Sequence, residues 1–458
     1  MAADRAASGD ADPPIERKAD LVAYLAAGEK SAHAFRIGTE HEKFVYRRED
    51  LRPLAYEGPG GIRWLLERFA ERFDWRIKRE AGLPVALERE RASITLEPGG
   101  QFELSGAPLT TLHDTCRETN RHLAEVKAIT EPAGLGMLGI GFNPKWRLAD
   151  IPKMPKARYD IMTNYMPTRG SLGVDMMYRS ATIQVNLDFA AEADMVKKFR
   201  VGLALQPVAT ALFANSPFTD GAPNGYLSYR SHCWTDTDPD RSGMLPFVFE
   251  DGFGYERWVD YMLDVPMYFV QRGERMIDAS GQSFRDFMEG RLPALPGERP
   301  TTADWADHLT TAFPEVRLKR FLEMRGADGG PWNMICALPA LWVGLLYDAA
   351  TLDAAWDLCR GMSVEEITKM RADVPRLGLH APFRDGTVGE LAGEVLALAE
   401  AGLAARGHDD VDGRDERKHI TALHDIVERD ETPAEQKLRL VREQWGGSVD
   451  PLFTQFAY

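Results

Sequence analysis

The chain has 458 residues, 44% hydrophobic and 27% charged, enough for one large core or for two or three smaller ones. Its formal charge is −15 and no Lys/Arg-rich run interrupts the acidity, so the electrostatic footprint of a nucleic-acid-binding protein is missing. Four cysteines, Cys116, Cys233, Cys336 and Cys359, stand far apart with no C-x-x-C pair, which excludes a zinc ribbon and a disulfide framework; the expected compartment is the reducing cytoplasm.

Residues 1–14 are acidic and rich in Ala, Gly and Pro, without the basic and apolar regions of a secretory signal. A disordered tail is expected there, followed by a single domain over 15–458. Phe35 to Tyr46 reads as a strand and Ile62 to Phe73 as an amphipathic helix. Trp75 to Glu80, Ala92 to Glu97 and Gln101 to Leu104 are short strand candidates. A capped helix is expected from about Asp114 to Ile129, then a strand over Gly134 to Phe142. Tyr178 to Phe189 carries the clearest strand signal, and Ala193 to Ala214 a helix that must bend or break at Pro207. Further helices are expected at Tyr255–Phe269, Ser283–Met288, Leu338–Leu358, Val364–Arg371, Gly389–Ala405 and Pro433–Gln444, with strand structure returning at Val316–Met324. The apolar run Met334 to Tyr347 contains Pro339 and stops at Asp348, too short to span a bilayer, so no membrane partner is expected. Strands cluster early and helices late, which points to α+β with a largely antiparallel sheet.

Several tempting motifs fail. Gly134, Gly136 and Gly139 satisfy G-x-G-x-x-G, but a helix precedes and a strand follows, the reverse of the dinucleotide order. Asp236, Asp238 and Asp240 imitate a calcium loop whose sixth position, Arg241, and twelfth, Phe247, are wrong. His41-Glu42 opens like a zinc helix, but Val45 stands where the second His belongs. No P-loop occurs.

Alternate strand residues share a face. Glu40 and Glu42 therefore lie together, with His41 and Lys43 opposite. Glu97 joins Thr95, and Gln101 joins Glu103 after the Pro98-Gly99-Gly100 turn. Thr182, Gln184, Asn186 and Asp188 form one face against Ile183, Val185, Leu187 and Phe189; Glu323 and Arg325 oppose Leu322 and Met324. These faces are dominated by oxygen donors. Crowded carboxylates repel unless cations sit between them, and hard oxygens select Mg²⁺ or Mn²⁺. Arg158, Arg179, Arg230 and Arg241 are expected in polar loops, the last two flanking a loop over Ser231 to Asp240, and Arg forks suit carboxylates and phosphates. Acids for metal with arginines for anions describe phosphoryl transfer onto a carboxylate.

The motifs Phe35–Phe44 (FRIGTEHEKF), Ile94–Gly106 (ITLEPGGQFELSG), Asp175–Arg179 (DMMYR), Thr182–Phe189 (TIQVNLDF), Arg230–Asp238 (RSHCWTDTD) and Leu322–Trp332 (LEMRGADGGPW) resemble those of plant-type glutamate–cysteine ligases, shared by plants and many proteobacteria. The resemblance covers the chain after residue ~30 and implies a single catalytic domain. It implies a glutamine-synthetase-like core: a curved, mainly antiparallel sheet forming a funnel, with helices packed outside. It implies ATP and Mg²⁺ (or Mn²⁺), with L-glutamate and L-cysteine joined through γ-glutamyl phosphate in the first step of glutathione biosynthesis. By the same resemblance Glu40, Glu42, Glu97, Glu103, Gln184 and Glu323 form the metal shell. Arg325 faces phosphate, with Arg241 a second ATP-binding arginine. Arg158, Arg179 and Arg230 hold the glutamate carboxylates, Arg230 and Arg325 being catalytic, while Tyr165 and Trp234 shape the cysteine pocket. The resemblance places Cys116 and Cys336 at a family cysteine pair that bonds under oxidation. A second pair, found in plant members within Ile277–Gln282 and Leu292–Pro296, is replaced here by Ala279 and Ala294. With no plastid-type leader, a bacterial cytoplasmic enzyme, monomer or homodimer, is expected. The alternatives are a related ligase using another amine, and an inactive glutamate-binding sensor on the same scaffold.

Overall fold

The computed structural model describes residues 14–458. The tail expected over 1–14 therefore lies outside the described residues, save Pro14. Nine strands form the main sheet: β1 (Ile37–Arg47), β2 (Arg76–Glu80), β3 (Leu83–Arg89), β4 (Ala92–Leu96), β5 (Phe102–Ser105), β6 (Leu135–Leu138), β7 (Thr182–Leu187), β8 (Val316–Leu318) and β9 (Leu322–Asp328). Their order is β8-β9-β7-β1-β5-β4-β3-β2, with β6 extending the pairing of β1 at its far end, and every neighbouring pair is antiparallel. The sheet stays open rather than closing into a barrel. The α+β architecture with a mainly antiparallel, helix-backed sheet is as expected.

Strict alternation on β7 explains how the layers form. Ile183, Val185 and Leu187 are buried on the face of β7 that meets helix Trp332–Leu346, while helix Glu192–Leu212 packs on β8 and β9. On β3 to β5, Leu87, Ile94, Phe102 and Leu104 meet Leu66 and Phe69 of helix Ile62–Phe73. Period-2 strands meeting 3.6-period helices bury one sheet face and leave the other free to carry polar groups. Apolar area removed from water in this layer stabilises the fold by roughly 25 cal/mol per Å².

Some elements differ from the sequence expectation. Strand β3 was not expected; Pro84 at its start masks the pattern. Tyr178 and Arg179 close a helix, Gly173–Arg179, and do not begin β7. The expected helix over Leu338–Leu358 is two helices, Trp332–Leu346 and Ala349–Cys359, bent by 90° where Asp348 caps the second by accepting from Thr351 N at 2.9 Å. Helix Glu192–Leu212 runs through Pro207, because residues 201–212 are all buried and their packing holds the helix together across the missing N–H. Among the described residues no single helix is long and apolar enough to cross a membrane.

Candidate active site

The polar face of the sheet lines one cavity of about 1920 Å³. Pockets for a single small molecule run to about 1,000 Å³, so this volume has room for more than one ligand. Gly38, Glu40 and Glu42 from β1, Ser93 and Thr95 from β4, Glu103 and Ser105 from β5, and Thr182, Gln184 and Asn186 from β7 all face it. The turn between β4 and β5 supplies Glu97 and Gln101. There Gly100 takes φ +82°, a conformation that favours glycine, and its N–H donates to Glu97 O at 2.9 Å.

Register concentrates the acids. Glu42 stands directly opposite Glu103, and Glu40 opposite Gln184. Like charges facing across an antiparallel pair repel. Glu103 is buried and accepts from Thr95 Oγ1 and, at 3.2 Å, from Ser105 Oγ. Glu40 is 5% exposed; its Oε1 accepts from Asn186 Nδ2 at 2.8 Å, and its Oε2 has no hydrogen-bond partner. Glu42 Oε2 accepts only the Thr182 N–H, at 3.1 Å. Burial first, then Glu97 and Glu103, push the Glu42 carboxyl well above the ordinary range. Burial, with Glu103 and Glu323 adding to it, raises Glu40 as well. An uncompensated carboxylate cluster with a bare buried oxygen is what a hard divalent cation satisfies, so Glu40, Glu42, Glu97 and Glu103 fit a metal.

Two expected ligands are occupied otherwise. Gln184 Oε1 accepts from Arg325 Nη1 at 2.8 Å. Glu323 shares the correct face of β9 but is fully buried and bound by three cations: Arg317 Nε and Nη2 at 2.8 Å, Arg325 Nη1 at 2.7 Å and Lys319 Nζ at 3.2 Å. Burial opposes its charge, yet Arg317, Lys319 and Arg325 hold its carboxyl well below the usual range. In this structure Glu323 anchors Arg325 and offers no free oxygen to the cavity.

Arg325, Arg230, Arg158 and Trp234 line the cavity. Arg230 sits in the short helix Tyr229–Cys233; its N–H donates to Ser216 Oγ at 3.1 Å and its Nη2 to Arg325 O at 3.0 Å. Behind it Asp328 accepts from Asn215 N, Ser216 Oγ and Ser228 Oγ at 2.6–2.8 Å. The Nε atoms of Arg230 and Arg158 are buried without partners. Trp234 rests against Phe313, ring centres 5.6 Å apart.

Three assignments need correction. Arg241 is fully buried away from the cavity: it pairs with Asp238 at 2.6 Å, donates to Thr311 O and Pro266 O, and lies 3.9 Å over the Tyr268 ring. Arg179 is committed to Asp175 at 2.9 Å and Asp220 at 2.5 Å, over the Phe142 ring. Tyr165 packs edge-on to Tyr268 outside the cavity lining. In a polar loop a buried structural arginine and a ligand-binding one have the same sequence signature. The lining also contains groups that the sequence did not single out: Lys156, whose amine burial pushes down to about 8, and Arg76, Lys78 and Arg91 at the β2 end. The i, i+2 spacing of Arg76 and Lys78 was the available signal.

Cys116 and Cys336 meet between helices Leu112–Thr130 and Trp332–Leu346, Cα atoms 5.8 Å apart, whereas Cys233 and Cys359 are buried and free.

Comparison with known proteins gives the family of the chain. The family described as Glutamate-cysteine ligase family 2 (GCS2) matches residues 36–455. The chain belongs to the glutamate–cysteine ligase family. It is 57% identical over 457 residues to the chloroplastic glutamate–cysteine ligase of Nicotiana tabacum, covering 98% of this chain and 86% of that protein. It is equally 57% identical over 448 residues to the chloroplastic enzyme of Arabidopsis thaliana, covering 98% and 84%. A crystal structure of the Francisella tularensis glutamate–cysteine ligase in complex with AMP shares the fold, with TM-score 0.55, 13% identity and coverage of 92% and 89%. Ligation of glutamate to cysteine, the first step of glutathione biosynthesis, is thus the activity of this family member. The cytoplasmic expectation is not borne out: the curated relatives at this identity are named chloroplastic ligases.

Proposed function

We propose that this ligase uses ATP with Mg²⁺ and passes through γ-glutamyl phosphate. The observation that carries the reading is the uncompensated row Glu40, Glu42, Glu97 and Glu103 facing Arg325, Arg230 and Arg158 in one cavity with room for several ligands. The AMP bound by the Francisella tularensis ligase supports a nucleotide in the same fold.

Glu40, Glu42, Glu97 and Glu103 hold the divalent cation, which when bound neutralises phosphate charge. Arg158 and Arg230 grip the glutamate carboxylates, with Arg230 held by Ser216 and Arg325 O. The γ-carboxylate oxygen attacks the terminal phosphorus and ADP leaves. The cysteine amine then attacks the activated carbonyl, losing one proton as phosphate departs. Arg325, fixed by Glu323 and Gln184, meets the charge that develops on the transferred group. Trp234 walls the amine side. Most of the acceleration comes from positioning and charge neutralisation.

ADP release by purified protein tests this reading. Release that needs Mg-ATP, glutamate and cysteine together, and collapses in Glu42→Gln, upholds it; release that continues without divalent cation or in that variant rejects it. The Cys116–Cys336 contact fits a bond made under oxidation, which unchanged gel mobility and peptide maps on reduction would refute.

A further inference from the structure

One cluster of donors lies outside the cavity lining. Cys116 and Cys336 are 5% and 3% exposed, and partly exposed His419 ends the turn Glu416–His419 beside them. The two sulfurs and a ring nitrogen of His419 lie within 4.8 Å of one another, with Cys116 Sγ 3.3 Å from His419 Nδ1.

The hydrogen bonds around His419 fix its tautomer. His113 Nε2 is 3.0 Å from His408 O, and a carbonyl only accepts, so Nε2 carries the proton. In that tautomer His113 has a bare Nδ1, which lies 3.0 Å from His419 Nε2. His419 donates there in this arrangement, and in the reduced protein its own Nδ1 is left as a lone pair facing Cys116 Sγ. An imidazole that donates one N–H to an acceptor and presents its other nitrogen to sulfur ligands has the arrangement of a metal-ligating histidine with its supporting partner.

Two sulfurs and one imidazole make a borderline-soft donor set, which suits Zn²⁺ and not Mg²⁺. In this structure the two sulfurs are bonded to each other; once the pair is reduced, side-chain rotation has to open them to the roughly 3.5–3.8 Å that tetrahedral ligands need with Zn–S about 2.3 Å and Zn–N about 2.0–2.1 Å.

We propose that the reduced Cys116–Cys336 pair and His419 bind one thiophilic divalent cation, Zn²⁺ by preference, with solvent at the fourth position. On binding, the two thiols release two protons to solvent and the sulfurs keep their oxidation state. The ion and a sulfur–sulfur bond exclude each other, since both use the same sulfur electron pairs. Forming the bond from the zinc-loaded site takes a two-electron oxidant, such as a low-molecular-weight disulfide, and expels the ion.

Cobalt is the probe. Metal-free, full-length protein, reduced and then freed of reductant, is titrated with Co²⁺. A thiolate-to-cobalt charge-transfer band should grow to one ion per chain, bleach stoichiometrically with Zn²⁺ and ignore excess Mg²⁺. The oxidised protein should give no band. Cys336→Ser and His419→Gln should lose it, with folding checked by far-UV circular dichroism, whereas Cys359→Ser keeps it. His113→Ala should weaken affinity about 10–100-fold. No band in the reduced wild-type protein, or an undiminished band in Cys336→Ser, overturns the proposal. Carboxylate ligands give no such band, so cobalt in the active-site cavity does not interfere and the outcome is independent of the ligase reaction.

Discussion

Asn186 Nδ2 donates to one oxygen of Glu40 at 2.8 Å, while the other oxygen of that buried carboxylate has no partner. A side chain that fixes one lone pair and leaves the other bare orients a ligand for a cation. Asn186→Ala should therefore raise the Mg²⁺ concentration needed for half-maximal ADP release by about 10–100-fold and leave far-UV circular dichroism unchanged. An unaltered Mg²⁺ requirement removes Asn186 from the site.

The raised carboxyl of Glu42 carries a cost in the metal-free protein. Burial and its acidic neighbours make it hold its proton more tightly folded than unfolded, so the folded state binds more protons. Stability then falls as pH rises from the unfolded value of about 4.3 towards the raised native one. Glu42→Gln removes this penalty. In chelator at pH 7.5 the variant should be more stable than wild type by ~0.5–2 kcal/mol in urea unfolding, with a shallower decline as pH rises above the unfolded value. Equal stability in chelator refutes the linkage.

Arg325 donates through Nη1 alone to Gln184 Oε1 and Glu323 Oε1, at 2.8 and 2.7 Å, and its side chain lines the cavity. Arg325→Ala should lower kcat about 10²–10³-fold with a smaller change in the KM of glutamate. Arg325→Lys should not restore it, because a point charge cannot reproduce the guanidinium fork. Steady-state ADP release separates the two parameters.

Arg241 and Asp238 form a fully buried pair at 2.6 Å. Arg241→Ala strands the Asp238 charge and should destabilise the protein by about 3–5 kcal/mol. The KM for Mg-ATP of the protein that still folds should stay at the wild-type value. A raised KM with unchanged thermal stability would return Arg241 to the nucleotide.

A Cβ on Gly99 would lie 2.3 Å from Tyr178 O, a backbone atom. Gly99→Ala should displace the turn that carries Glu97 and weaken Mg²⁺ dependence more than it weakens the KM of cysteine, as cation titrations of ADP release would show.

The sequence makes the sheet face legible because alternation is a local property: Thr182 to Asp188 and Glu40 to Glu42 show their sides without any knowledge of partners. Helix Ile62–Phe73 has the bounds its periodicity predicts. Arginine roles are not legible, since Arg230 and Arg241 flank the same loop and only tertiary burial decides that Asp238 claims one of them. Glu323 shows the same limit. Its face follows from the strand, but the Arg317 and Lys319 that occupy its oxygens arrive through a register set between β8 and β9. The cavity lysine Lys156 and the β2 cations lie in segments without motif character, so their place emerges only when the sheet is assembled.

The position of β7, between β1 and β9, has a consequence for synthesis. A nascent chain that has emerged only as far as residue ~320 can pair β7 with β1, yet the other edge of β7 still shows an unsatisfied row of backbone donors and acceptors. That edge is a template for any extended segment nearby, including one from a neighbouring ribosome on the same message. Until residues 322–328 dock, the half-built sheet keeps an open edge available for intermolecular pairing, and a chain ended upstream of this strand would keep that edge.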